Sequence, residues 1–255
     1  MKNIIRAEFY KLYHSKTLWI CLTLAIIVAL VIPFGIKAAI SAQEPDYIDK
    51  TWSAMTVYNY GLSHPMLTLV IALFVTLTSV GEFHFGTMKN YLSKGIRRES
   101  VFLAKAIVSA LGTTAIFLVF EGVLFLTANG LFGFDGSSVF SGAAFAASFF
   151  LVWLLLLAYT SLLLMVVFLA KNGMAAIGIN ICLVSLFPTL LGALNFLFGK
   201  SAFKPTSLWL DSMLSGASLL PLSNSAIIFA SVGSLGYLAA SLAFGIWRFK
   251  KADIK

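Results

Sequence analysis

Long apolar runs alternate with short polar connections along almost the whole chain. Six runs are long enough to cross a bilayer as a helix, which takes about 20 mainly apolar residues. They lie at 18–36, 62–80, 106–126, 141–170, 173–198 and 226–247. Because these helices and their connections use up the 255 residues, the pattern predicts a single transmembrane domain over 1–255, without room for a separate soluble domain.

The composition agrees with this pattern. Hydrophobic residues make up 60% of the chain and charged residues 11%, and the mean hydropathy is +0.94. A soluble domain is roughly 45–50% apolar and about 25% charged. We therefore expect an all-α polytopic membrane protein.

No small-residue cleavage site follows the first apolar run, so a cleaved signal peptide is not expected. Cys21 and Cys182 lie in apolar runs and are expected to be small core residues.

The basic residues predict the orientation, because Lys and Arg are retained on the cytoplasmic side of a membrane. With both termini in the cytoplasm, fourteen of the eighteen Lys and Arg residues lie there. The other four, Lys37, Lys50, Lys200 and Lys204, are accompanied by acidic residues in the outer connections. The net charge of +8 is then explained by topology, and no nucleic-acid partner is expected.

Residues 1–16 have the pattern of an amphipathic helix. Ile5, Phe9 and Leu12 or Tyr13 recur at helical spacing, with basic residues on other faces. We expect this N-terminal helix to lie along the inner membrane surface, in contact with lipid. A plain polar segment leading into the first span is the alternative.

Two outer connections contain aromatic or apolar residues. In residues 41–61, Trp52, Tyr58 and Tyr60 are interpreted as aromatic anchors at the membrane surface. In residues 200–224, a half-apolar stretch predicts a short helix that is too short to span. This segment is expected to be either surface-lying or re-entrant.

A charged segment at 82–98 separates the second and third spans. Phe85, Met88 and Leu92 form an apolar stripe at helical spacing, and Gly95 can take the left-handed conformation that ends a helix. The pattern predicts a short cytoplasmic helix fixed to the ends of two spans, of the kind that contacts a soluble partner. An ordinary basic inner loop is the alternative.

Two segments also carry a resemblance to a known family. They are Arg6-Ala7-Glu8-Phe9-Tyr10-Lys11-Leu12 and, in the charged segment, Gly81-Glu82-Phe83, Gly86-Thr87-Met88-Lys89, Leu92-Ser93-Lys94-Gly95, Arg98 and Lys105. These residues resemble the N-terminal and cytoplasmic motifs of ABC-2 type permeases, the membrane subunits of bacterial ABC exporters, including those for bacitracin and lantibiotic self-protection. Six helices with both ends inside match the plan of that family. Arg97 departs from it, since the family often has a small hydroxyl residue there.

The resemblance implies a subunit of an exporter in the bacterial cell membrane. Two permeases, identical or related, would bind two ATP-hydrolysing subunits, which would hold ATP and magnesium, so this chain is expected to hold no cofactor and to be no enzyme itself. The segment 82–95 would be the coupling helix. The implied site residues are Glu82, Gly86, Thr87 and Lys89 at the ATPase interface, Gly95 and Arg98 at the following turn, and Glu8 and Lys11 in the N-terminal helix.

Three acidic or basic side chains stand out by their spacing or depth. Glu8 and Lys11 are three residues apart and can pair across one helical turn. Glu121 lies well inside an apolar run, roughly 23 Å from the inner face at about 1.5 Å per residue. An ionisable group at such depth is a candidate for the substrate path, and a hydrogen bond to Thr or Ser of a neighbouring helix is the alternative.

Other function classes leave weaker signals. An intramembrane hydrolase needs a nucleophile with a base, and none is evident. A secondary transporter needs matching broken helices in its two halves; Pro188 and Gly192 interrupt the fifth run without a counterpart. A membrane subunit that anchors an ATPase without moving cargo also remains open.

His64 and His84 lack a third ligand at suitable spacing, so no metal is expected. The apolar and small residues of the spans suit peptide, lipid and amphipathic cargoes equally.

Overall fold

The computed structural model describes residues 2–42, 52–84, 97–133, 142–170, 172–198, 205–219 and 222–251. This described part contains nine α-helices and one short 3-10 helix, and no β-strand. In chain order the α-helices are α1 Lys2–His14, α2 Lys16–Ser41, α3 Ala54–Leu62, α4 Pro65–His84, α5 Arg98–Phe132, α6 Gly142–Ala170, α7 Gly173–Phe198, α8 Leu210–Ser218 and α9 Asn224–Lys251. The 3-10 helix is Pro205–Leu208.

Six segments of this part are long and apolar enough to cross a membrane: α2, α3 with α4, α5, α6, α7 and α9. The prediction of an all-α protein with six spans is therefore confirmed. Several helices reach beyond the apolar runs; α5, for example, begins at Arg98 instead of 106. A helix satisfies its own backbone hydrogen bonds, so it can continue through the polar residues at either surface of a membrane.

The second span differs from its prediction at its start. Residues 54–61 were expected to lie in an outer connection, but together with Leu62 they form α3. Ser53 begins this helix, because its side chain accepts a hydrogen bond from the backbone N–H of Thr56. The chain then leaves the helical conformation before Pro65, because a proline ring disfavours helical backbone angles in the residue that precedes it.

Proline does not interrupt the fifth span. The sequence pattern predicted a break at Pro188 and Gly192, whereas α7 runs unbroken from Gly173 to Phe198. Pro33 is likewise contained within α2. Neighbouring helices and local adjustments make proline tolerable inside membrane helices, so the expected interruption is wrong.

α6 is the central helix of the bundle. It packs against α9, α4, α5, α8 and α7, and 72% of its most apolar stretch is buried, against 17% for α7 and for α9. Hydroxyl and amide side chains link neighbouring spans within this packing. The linked pairs are Thr113 with Thr160 at 2.9 Å, Ser161 with Ser241 at 2.6 Å, and Asn180 with Thr76 at 2.7 Å.

α8 is a short helix with one face buried. Leu210, Leu214 and Ala217 are inaccessible to solvent, and the helix packs against α6 and α9. This is the short helix expected within 200–224. Whether it lies on the membrane surface or enters the membrane stays a prediction.

The two cysteines occupy different environments. Cys21 is buried, as expected of a small core residue. Cys182 is exposed on α7, so its prediction as a core residue is wrong. An apolar run that spans a membrane does not by itself say which of its faces packs against protein.

Both termini of the described chain lie at the same end of the bundle. α1 contacts the first turns of α5 through Glu8 and Lys105, and α9 contacts them through Lys250 and Glu99. We call this the α1 end, and the opposite end, which carries α3 and α8, the α3 end. The side of the membrane that the α1 end faces stays a prediction from the basic residues.

Candidate functional site

Glu8 joins the N-terminal helix to the bundle at the α1 end. Its side chain is 4% exposed, and its two carboxylate oxygens lie 3.1 Å from the Nζ atoms of Lys11 and Lys105. The Lys11 contact is the pairing that the spacing predicted. The Lys105 contact connects α1 to α5, and Lys105 is almost as buried as Glu8.

Lys105 extends this connection to a third helix. Its ammonium group donates a long hydrogen bond, 3.4 Å, to the backbone carbonyl of Thr78 in α4. The C-terminal half of α4, the N-terminal part of α5 and α1 therefore meet around one carboxylate. We call Glu8, Lys11 and Lys105 the ionic junction.

The apolar residues predicted on one face of α1 are divided between two faces. Leu12 is buried and Ile5 packs against the core of the bundle. Phe9 and Tyr13, which belonged to the same predicted stripe, are exposed by 49% and 59%. Glu8 lies on the bundle-facing side, where it pairs with Lys105. Contact of α1 with lipid stays a prediction.

Arg98 lies at the first position of α5 and contacts the other end of the chain. Its Nη1 donates a hydrogen bond of 3.2 Å to the backbone carbonyl of Lys250 in α9. Lys250 also pairs with Glu99 at 2.6 Å, but both side chains are about half exposed, so this pair stabilises little. Arg97 holds the N-cap position without a capping hydrogen bond from its side chain.

Most of the predicted coupling residues fall outside the described part of the chain. Gly86, Thr87, Lys89 and Gly95 belong to the segment for which no structure is described. Glu82 is in the last turn of α4, and its side chain is likewise not described. Their assignment to an ATPase interface therefore stays a prediction.

Glu121 lies on α5 near the α3 end and is 5% exposed. The hydroxyl of Tyr58 in α3 donates a hydrogen bond to Glu121 Oε2. Among the described residues, no hydrogen-bond partner reaches Glu121 Oε1. The rings of Phe125 and Phe145 lie 5.9 and 5.5 Å from the ring of Tyr58. The carboxyl is thus hydrogen-bonded to a tyrosine of a neighbouring helix; the alternative to a transport role had named Thr or Ser as the partner.

The sequence did not predict two contacts, that of Tyr58 with Glu121 and that of Lys105 with Glu8. Tyr58 was interpreted as an anchor at the membrane surface, but it is 2% exposed, so that interpretation is wrong. The helical spacing of the buried positions 54, 57, 58, 61 and 62 was the available signal. For Lys105, the available signal was its helical spacing from Phe102 and Ser109. The three residues share one face of α5, and that face is buried.

The charged groups of the described residues do not form a metal site. In the part of the chain that the structure describes, no three His, Cys, Asp or Glu residues are grouped so that they could hold a metal ion. The two ends of the bundle each present a buried carboxyl group, one with two ammonium partners and one with a phenol partner.

Comparisons with known proteins identify the family. A search of curated proteins gave no match. The sequence model described as "ABC-2 family transporter protein" matches residues 4–189, which is well over half of the chain. The match includes most of α1, all of α2 to α6, Glu8 and Glu121, and the segment between α4 and α5. This chain belongs to the ABC-2 family of transporter proteins.

Proposed function

We propose that this chain is the permease subunit of an ATP-driven exporter in a bacterial cell membrane, with both termini in the cytoplasm. It pairs with a second permease, identical or related, and with two ATP-hydrolysing subunits that hold ATP and magnesium. Residues 82–95 form the coupling helix that contacts an ATPase, with Glu82, Gly86, Thr87 and Lys89 at the contact and Gly95 at its end.

The observation that carries this proposal is the ionic junction. It ties α1 to α5 and, through Lys105, to α4. The coupling segment connects those two spans, since α4 ends at His84 and α5 begins at Arg98. A push on that segment by a partner would therefore reach α4, α5 and α1 together. Arg98 and Glu99 extend the same connection to α9.

Glu121 is proposed to act on the transport path from the α3 end. A buried carboxyl group in a membrane helix is costly to keep and is a functional candidate by default. Its hydrogen bond to Tyr58 links α3 to α5, so a change at Glu121 would alter how these helices open. We propose an amphipathic cargo of peptide or lipid type, including antimicrobial peptides against which a cell protects itself.

The first test is a pull-down of the tagged full-length chain in a mild detergent. We expect an ATP-binding-cassette protein to copurify, and a second permease would appear beside it if the pair is mixed. ATP-dependent flux in vesicles that contain the purified complex then separates an exporter from a subunit that only anchors the ATPase. A chain that is recovered alone and still moves cargo would favour a secondary transporter.

The second test separates coupling from assembly. We expect Glu82→Ala and Gly86→Ala to uncouple ATP hydrolysis from transport while membrane insertion is unchanged. Gly122→Ala is the matched control for the glycine, because an added Cβ there meets no atom within 4 Å. Normal coupling in both variants would contradict the assigned interface.

The third test addresses Glu121. We expect Glu121→Gln to alter the transport rate without weakening ATPase binding, which the same pull-down measures. Unchanged transport in this variant would leave Glu121 with a structural role only.

A further inference from the structure

The two least buried spans, α7 and α9, are bridged by the side chain of Trp209. In each span, 17% of the most apolar stretch is buried. Both spans pack against α6, but within the described residues they do not pack extensively against each other. Trp209, from the connection between the 3-10 helix and α8, lies in the gap between them. Its ring centre is 4.5 Å from that of Phe187 in α7 and 6.3 Å from that of Tyr237 in α9.

Trp209 reaches deep into the bundle. It also contacts Tyr159 of α6, at 6.4 Å between ring centres. Phe187, Tyr159 and Tyr237 each lie near the middle of their helices, at least about 16 Å from either end at a rise of about 1.5 Å per residue. Trp209 is 7% exposed. A side chain from a short connection thus fills the gap between two spans at roughly half their length.

Ring contacts hold the indole in this gap, but its polar atom is poorly satisfied. The indole N–H lies near the hydroxyl of Tyr159, yet neither group forms a regular hydrogen bond with another described residue. A buried polar group without such a bond loses its hydration without compensation. Tryptophan is favoured at a membrane surface, where its N–H meets water or headgroups. Withdrawal of Trp209 towards the α3 end would therefore satisfy its N–H.

The structure leaves room for that movement. Tyr237 holds the preceding backbone by a hydrogen bond of 2.9 Å from its hydroxyl to the carbonyl of Leu208. A cavity of about 320 Å³ lies between the 3-10 helix, α8 and the first turns of α9, and Ser207, Ser212 and Gly216 are in its wall. Close packing opposes movement of a buried segment unless there is space beside it. The segment that carries Trp209 can therefore shift without displacing a whole span.

We propose that Trp209 is a gate between α7 and α9. With the indole in place, the gap between the two spans is closed. When the indole withdraws towards the α3 end, the gap opens, and the buried faces of α6 and α9 become accessible from that end. This inference goes beyond the proposed function, because it concerns a movement within one chain and holds whatever the chain transports.

The test measures the opening with a buried cysteine. Ser234→Cys places a reporter thiol on α9, one turn before Tyr237, where the native serine is fully buried. Cys182→Ala removes the exposed native thiol, and buried Cys21 in α2 remains as an internal control for general unfolding. The purified full-length chain in lipid nanodiscs is treated with a water-soluble maleimide, and peptide mass spectrometry follows the labelling of each cysteine. No ATP, partner or cargo is needed, so a failure of this inference is distinct from a failure of the proposed function.

The variants are introduced into this reporter chain. Trp209→Ala removes the indole, and Trp209→Phe keeps a ring. Trp19→Ala is the control, because Trp19 is 55% exposed on α2. Gly216→Leu places a side chain in the cavity, where an added Cβ would meet no atom within 4 Å. Gly130→Leu is its control, since Gly130 is an equally open glycine near the α3 end of α5.

We expect the reporter thiol to be labelled at least about tenfold faster in Trp209→Ala, because local opening sets the rate at which a buried group reacts. Trp209→Phe should stay close to the parent chain, and Gly216→Leu should be labelled more slowly. Both controls, and Cys21 in every variant, should be unchanged. Two results would overturn the proposal: no faster labelling of the reporter in Trp209→Ala, or an equal acceleration at Cys21, which would make Trp209 a packing residue of the whole bundle.

Discussion

Among the described residues, the α1 end and the α3 end of the bundle each bury one glutamate, and they stabilise it differently. At the α1 end, Glu8 lies between the ammonium groups of Lys11 and Lys105. At the α3 end, Glu121 accepts a hydrogen bond from the phenol of Tyr58, among aromatic rings. A buried charge is costly unless it is paired and hydrogen-bonded. The first arrangement matches charge with charge, and the second supplies one neutral donor.

This difference bears on what each end can do. Contacts between charges are open to competition from another ion, such as a charged group of a partner subunit. A carboxyl bonded to a tyrosine inside an aromatic cluster responds instead to movements of the helices that carry the two side chains. We therefore expect the α1 end to respond to charged groups of a partner, and the α3 end to respond to the separation of α3 and α5.

The largest effect is expected at Glu8. Glu8→Gln removes the carboxylate that pairs with Lys11 and Lys105, and breaking a buried ion pair costs about 3–5 kcal/mol. Glu99→Gln, in the half-exposed pair with Lys250, should cost less than about 1 kcal/mol. Thermal unfolding of both variants in one detergent measures the contrast. Equal melting temperatures would mean that the ionic junction contributes no more than a surface pair.

A smaller effect is expected at Tyr58. Tyr58→Phe removes the donor to Glu121 and leaves a buried carboxyl oxygen without that hydrogen bond, which costs about 1–3 kcal/mol. Tyr60→Phe is the matched control, since Tyr60 is two residues further along α3 and is 48% exposed. Its change in stability should stay within about 0.5 kcal/mol. If both variants unfold at the wild-type temperature, the phenol does not hold the carboxyl.

The smallest effect is expected at Asp211, in the first turn of α8 at the α3 end. Burial raises the pKa of this carboxyl above its ordinary value of 3.8, so the folded chain holds the proton more tightly than the unfolded chain does. Stability from this group is therefore present at low pH and is lost as the pH rises through the raised pKa. Asp211→Asn should raise the melting temperature at pH 7 and have less effect near pH 4. The same gain at both pH values would contradict this origin.

The all-α class and the number of membrane spans followed from the sequence, because they depend on local properties. A run of apolar residues long enough to span predicts a helix wherever it occurs, and Gly173–Phe198 agrees with its prediction at both ends. Local spacing also found the pairing of Glu8 with Lys11. Span boundaries were less well predicted where a helix continues through polar residues, as at Arg98.

The partners of the buried groups were decided by the tertiary structure. Glu121 meets Tyr58, 63 residues away, and Glu8 meets Lys105 on a different helix. The same packing buries Cys21 and exposes Cys182. Apolarity in a membrane chain marks what can lie in the bilayer, and it does not distinguish a face that meets lipid from one that meets protein. Only the packing of one helix against another makes that distinction, and with it the environment of each buried charge.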